Sequence, residues 1–374
     1  MNMSGQPPSP GYGAPRRSAE RVGGRAEGGG QTAEGRGQPP SLGYGALFDG
    51  MARVAQSPVI LGCVYLATLV TAVPFSMLMR DSIAGHLGNS LAAEEAARGF
   101  NYRWFIEYQA QAGELGRTLR TTIIGFAAVL DNLSALVDKE ARPASMLWLG
   151  AAYLLLWLFL AGGILDRYAR KRPTRSYEFF SACGVYFVRF LRLAPVIGAT
   201  YYVLFAYVHP ALFNGIYGSL TRDVTAERTA FFYRLGLYVI FGVLLIAANV
   251  TFDYAKVRAV VEDRRSMIGA IAASLRFIRR NFSDVARLYA TNGVIFLSVL
   301  LFYALVAPGV GGTSLRVWLG FAVAQIYLLA RLWVRLVFFA SETSLFQERL
   351  AHAGYVASAE VPLPEPPIVE QVVG

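Results

Sequence analysis

Arg331 and Arg335 stand one helical turn apart inside Val317 to Phe339, a run that is otherwise almost wholly apolar. An arginine in hydrocarbon is costly unless it meets a carboxylate or snorkels to the interface. Asp166 and Asp253 end two other apolar runs at a matching depth, so the expected chemistry is an intramembrane ion pair between one of them and Arg331 or Arg335. A second charged group is Arg264, Arg265, Arg276, Arg279 and Arg280, within FDYAKVRAVVEDRRSMIGAIAASLRFIRRNF from Phe252 to Phe282. Here Ile268, Ile271, Leu275, Ile278 and Phe282 recur at 3-4-3-4 spacing on one side of a helix, and the arginines take the other side or its ends. A basic amphipathic helix between two spans lies on the membrane surface, where its arginines meet anionic lipid headgroups or serve only as a topology signal.

Other chemistry is sparse. His86, His209 and His352 fall on two sides of the membrane under the topology below, so they make no common metal site. No Gly-rich phosphate loop, serine elbow or paired metal-binding carboxylates occur, so no catalytic residue, metal or cofactor is assigned. Cys63 and Cys183 read as small apolar side chains. His209 before Pro210 reads as a helix stop, Pro74 and Pro195 as packing kinks, and Gly309, Gly311 and Gly312 as a tight turn.

The elements that position these residues are long apolar helices. Runs of about 20 apolar residues match a hydrocarbon core of roughly 30 Å. Six occur: Pro58 to Met79, Ala144 to Leu165, Leu193 to Val208, Leu235 to Val250, Leu288 to Ala307 and Val317 to Phe339. The expected fold is all-α, a polytopic membrane protein with six transmembrane helices, basic cytoplasmic amphipathic helices and a disordered N-terminal tail. Residues 166–182 carry five Lys or Arg and residues 251–285 carry seven, against two in 209–229. The positive-inside rule therefore places the basic connections, and with six spans both termini, in the cytoplasm. Arg80 to Pro143 is then a long extracytoplasmic segment. Within it Thr121 to Val137, which carries Asp131 and Asn132, reads as a surface or re-entrant helix, with a seventh span as the alternative.

Composition agrees. The 374 residues are 55% hydrophobic and 16% charged, with mean hydropathy +0.40, too apolar for a soluble chain of this size. The net charge of +10 is concentrated where membrane topology demands it, which argues against nucleic acid. Of 35 basic residues only three are Lys, a bias that suggests a GC-rich bacterial genome and so the bacterial inner membrane.

Residues 1–56 are rich in Gly, Pro, Ser, Arg and Glu and are expected to be disordered, with 1–46 the tail proper and 356–374 a second tail. Leu47, Met51 and Val54 are spaced to form one short amphipathic turn. GQPPSPGYGA from Gly5 and GQPPSLGYGA from Gly37 repeat around Tyr12 and Tyr44, either as a linker or as a motif for a protein partner. A second repeat lies inside the 47–355 membrane domain. Asp166, Tyr168, Ala169 and Arg170 echo Asp253, Tyr254, Ala255 and Lys256. Ser176 with Phe187, Val188 and Arg189 echoes Ser266 with Phe277, Ile278 and Arg279. The unit would be span, basic surface helix, span, copied in parallel.

The stretch D-Y-A-K-x-R-x-x-x-E-x-R-x-S from Asp253 to Ser266 resembles uncharacterised bacterial multi-pass membrane families, and the outline is similar to the membrane domain fused to some glycerophosphodiester phosphodiesterases. The resemblance implies a helical membrane module and no assigned chemistry. Three functions fit: a non-enzymatic protein engaging anionic lipid or an envelope partner through its basic helices; a transporter or permease with parallel two-span repeats, whose midplane polar residues would be Asn292, Gln325 and Arg331; and a membrane enzyme.

Overall fold

The computed structural model describes residues 44–88, 90–119, 138, 144–307 and 314–349. No strand occurs among them. In chain order the helices are α1 (Tyr44–Ala55), α2 (Pro58–Leu87), α3 (Ala92–Arg98), α4 (Tyr102–Gln111), α5 (Ala144–Arg170), α6 (Ser176–Val203), α7 (Tyr217–Thr221), α8 (Glu227–Val261), α9 (Met267–Arg280), α10 (Phe282–Val306) and α11 (Ser314–Arg349). Six helical segments among the described residues are long and apolar enough to cross a membrane. They are α2, α5, the run Ser176–Thr221, α8, α10 and α11, the six runs expected. The duplicated tail motif apart from its last residues, the segment 121–137, the 309–312 turn and His352 lie outside the described residues.

The six spans alternate in direction, and the main core gathers where the connections 171–175 and 262–266 lie, called here the basic end. There the last turns of α5, α8 and α11 interlock through Ile164, Tyr168, Tyr254, Val257, Leu336 and Phe346. Toward the middle of the spans the apolar surface is left open: between 11% and 33% of each most apolar window is buried. Such surface is stable only against lipid or another apolar partner. α5 packs closely on α6, and Gly163 makes that approach possible. A Cβ there would sit 2.5 Å from Cys183 Sγ and 2.8 Å from the Phe179 carbonyl oxygen, the small-residue contact common between membrane helices.

α1 is three turns of docked helix, where the sequence suggested one turn at the end of a tail. It lies along the last turns of α11 with Ala46, Leu47, Gly50, Arg53 and Val54 buried. A Cβ on Gly50 would be 2.7 Å from the backbone N of Ser341. Arg53 donates to the Tyr168 carbonyl at 2.9 Å and to Gln347 Oε1 at 3.0 Å, and Gln347 donates to the Ala169 carbonyl at 3.0 Å. The two side chains thus satisfy orphan carbonyls at the C-terminus of α5. Asp49 accepts from Arg53 Nε at 2.8 Å and from Ser344 at 2.6 Å. Burial pushes its carboxyl up, but the Ser344 hydroxyl and the Arg53 and Lys171 cations outweigh this and hold it below the usual carboxylate range.

Two expectations are corrected. Pro210 does not stop its helix: α6 continues through π-helical turns at Leu204–Val208 and Ala211–Ile216 into α7. Wider turns spare the hydrogen bond that a proline nitrogen cannot give. The proposed repeat unit is also unequal. In the second copy the surface helix α9 is separated from its span at Asn281, whereas in the first copy residues from Ser176 onward run unbroken into the span. The ends of the preceding spans do match, because Tyr168 and Tyr254 are both fully buried and Lys171 and Asp263 both take a left-handed turn (φ 56° and 48°).

The connection after α2 packs separately. Trp104 and Tyr108 of α4 lie against His86, whose Nδ1 accepts from Trp104 Nε1 at 3.1 Å. His209 belongs to another cluster, with Phe213 and Phe241.

Candidate functional site

α9 begins where Ser266 accepts a hydrogen bond from the Gly269 amide at 3.3 Å, and it ends with Arg279 and Arg280 beside the negative end of the helix dipole. Its circumference divides into three arcs. Met267, Ala270, Ala273, Ser274 and Phe277 are buried, with Phe277 against the rings of Tyr254 and Phe346. At 100° per residue, Ile268, Ile271, Leu275 and Ile278 fall on the next arc, and Arg276, Arg279 and Arg280 on the third. The sequence left two outcomes for the apolar row, membrane contact or packing, and the structure divides it. Ile271 and Ile278 are half-buried against the core, whereas Ile268 is 75% and Leu275 47% exposed. The apolar row is thus the outer edge of the packed face, because the small residues Ala270, Ala273 and Ser274 let α9 approach α8 closely.

The five candidate headgroup arginines divide likewise. Arg264 pairs with Glu262, which also holds Arg258 at 2.9 Å. Among the described residues Arg265, Arg276, Arg279 and Arg280 have no ion-pair partner, and all four are exposed. Exposed apolar side chains flanked by uncommitted arginines are the geometry of a helix in a membrane interface.

Of the intramembrane candidates, each aspartate meets a cation on its own helix: Asp166 with Arg170 at 2.9 Å and Asp253 with Lys256 at 2.5 Å. No salt bridge joins either one to Arg331 or Arg335, although Asp253 is near enough to Arg335 to attract it. A partner one turn away costs no interhelical fit, which explains the choice. Arg335 lies over the Trp157 ring, 3.6 Å from its centroid, and Arg331 is near enough to Tyr327 to interact with it electrostatically, although the Tyr327 hydroxyl has no hydrogen-bond partner among the described residues. Both arginines line a cleft of about 440 Å³ with Thr68, Tyr153, Phe296 and Leu328. They sit two and three turns in from Glu342, about 10 and 16 Å at 1.5 Å per residue.

Sequence reasoning missed the polar segment Ser341 to Ser344, which is wholly buried. Glu342 is 1% exposed and hydrogen-bonded to Tyr289, and Asn292 donates to Ser341 Oγ at 3.0 Å. One oxygen of Glu342 and the Asn292 carbonyl have no hydrogen-bond partner among the described residues. The available signal was the continued helical spacing of Leu345 and Phe346 after Phe339. Among the described residues no group of three or more His, Cys, Asp or Glu is placed to hold a metal ion.

Comparison of the chain with protein-family models, curated proteins and solved structures finds no match to any of the three.

Proposed function

We propose that this chain is a non-enzymatic multi-pass protein of the bacterial cytoplasmic membrane, oriented with its basic end and both termini in the cytoplasm, that engages anionic lipid through α9. The observation that supports this best is the three-arc surface of α9, packed on one side, apolar and open on the next, cationic and uncommitted on the third. Four unpaired arginines at about 1 kcal/mol each near an anionic leaflet supply several kcal/mol, and salt weakens that attraction over a Debye length of about 10 Å at 0.1 M. The duplicated tail motif is the proposed docking element for a protein partner.

The test is Arg276, Arg279 and Arg280 replaced together by Gln, followed by mass spectrometry of lipid retained by the purified protein at low and high salt. The variant is expected to lose anionic lipid selectively at low salt. Unchanged retention in a folded, inserted variant refutes the reading.

A second reading, transport of an anionic solute, is favoured by the Arg331 and Arg335 cleft, since transporters place polar groups near mid-depth. It predicts flux that Arg331→Gln abolishes.

A further inference from the structure

We propose that the cavity between the α1–α2 turn, the last turns of α5 and the start of α6 is a phosphate-binding site that holds one phospholipid by its phosphate group. The cavity has a volume of about 230 Å³ and is lined by Ser57, Val59, Arg167, Thr174, Ser176 and Phe179, among others. Several times the roughly 30 Å³ of one liquid water, it admits a phosphate with its ester oxygens.

Three features that each favour an anion converge there. Arg167 is 9% exposed and has no ion pair or hydrogen bond among the described residues. The nearest carboxylate in sequence, Asp166, is held by Arg170. Other buried cations at the basic end are matched: Arg53 meets Asp49 and the Tyr168 carbonyl, and Lys256 meets Asp253. An unmatched guanidinium, on a mostly buried side chain that opens into the cavity, favours an anion there.

The second feature is Ser57. It occupies the N-cap position of α2, where a serine hydroxyl ordinarily accepts from the helix, yet it makes no such bond. Its side-chain oxygen is buried without a hydrogen-bond partner among the described residues, and the residue is 5% exposed. The third feature is the pair of helix starts. α2 and α6 both begin at this cavity, and neither has a side-chain cap, so two positive dipole ends face one volume. The acid in the first turn of α6, Glu178, is exposed and does not line the cavity.

The apolar rim identifies the phosphate as part of a lipid. Val59 is 74% and Phe180 51% exposed, and Pro58 is the first residue of the α2 span, so acyl chains leaving the cavity run along the apolar flanks of α2 and α6. No residue of α9 lines this cavity, and the two surfaces select differently. α9 reads net negative charge at an exposed face and yields to salt. The recessed cavity reads the phosphate itself, so it accepts zwitterionic phosphatidylethanolamine as readily as phosphatidylglycerol and yields to salt less than α9 does.

The experiment uses the full chain, delipidated in detergent at high salt, with native mass spectrometry after addition of either phospholipid. The wild type is expected to keep one phospholipid of either class, Arg167→Gln to lose at least tenfold in occupancy, and the triple Arg276, Arg279, Arg280→Gln variant to keep it. Millimolar inorganic phosphate is the second arm. Displacement of the lipid by phosphate, with thermal stabilisation of wild type and not of Arg167→Gln, supports the site and its shared chemistry. Stabilisation by phosphate with no phospholipid retained overturns the lipid assignment in favour of a soluble phosphate compound. Equal lipid occupancy in wild type and Arg167→Gln overturns the site. Should Arg167→Gln fail to insert, Ser57→Ala, which removes only the unbonded hydroxyl, decides: undiminished occupancy then overturns the site.

Discussion

Arg53→Met tests whether α1 is held mainly by its polar clamp. Methionine keeps most of the aliphatic stem that packs beneath α11 but removes the guanidinium. Three bonds go: those to the Tyr168 carbonyl at 2.9 Å, to Gln347 at 3.0 Å and to Asp49 at 2.8 Å. The buried Tyr168 carbonyl loses its charged donor at about 1–3 kcal/mol. Asp49 is 36% exposed and keeps Ser344 and Lys171, so it rehydrates and adds little. Gln347 keeps the Ala169 carbonyl. Together these give about 2–4 kcal/mol against docking of α1, with the second bond to a charged group included at its usual 1.5–3 kcal/mol less rehydration. α1 is at the chain's edge and opens locally, so hydrogen exchange of its amides in a detergent or nanodisc sample should speed up by about 30-fold to several hundred-fold. Core amides of α5 and α8 should change far less. Unchanged exchange over residues 44–55 in a folded Arg53→Met protein refutes the clamp.

The same clamp sets a pH dependence. The folded-state carboxyl of Asp49 is lowered, so its contribution is full above the unfolded value near 4 and is lost as pH falls through the folded one; the protection of α1 amides, measured relative to the intrinsic exchange rate at each pH, should be flat from about pH 5 upward and fall below about pH 4. Gly163→Ala forces a methyl into Cys183 Sγ and the Phe179 carbonyl and should cost about 1–3 kcal/mol, read as a lower melting temperature. Lys171→Gly relieves a left-handed non-glycine residue at the end of α5 for an exposed 3.4 Å contact with Asp49, and should stabilise by about 0.5–1 kcal/mol in the same assay. Tyr289→Phe removes the hydrogen-bond partner of Glu342 and should destabilise by about 1–3 kcal/mol, whereas Tyr289→Phe combined with Glu342→Leu should recover much of that loss. A reporter fused between residues 171 and 175 tests the proposed orientation, and an extracytoplasmic signal there refutes it.

What the sequence determined by itself was whatever depends on local spacing. Runs of about 20 apolar residues fixed the six spans, because backbone in hydrocarbon must satisfy itself and only a helix of that length does so. The clustering of Arg and Lys fixed which connections share an end, and the 3-4 spacing from Ile268 found α9. Tertiary structure decided which polar groups are covered and by what, since that depends on residues far apart in the chain. Arg53 meets a carbonyl 115 residues away and Ser344 an acid 295 residues away, so nothing in the local pattern distinguished α1 from the tail before it. The helical period of Ser341 to Ser344 likewise could not say whether that face meets water, α1 or α10. Most telling are Arg167 and Ser57, an ordinary basic residue at a span end and an ordinary serine before a proline. Only the meeting of the α2 and α6 starts around the end of α5 leaves both buried without a partner, because enclosure is a property of three helices and spacing is a property of one.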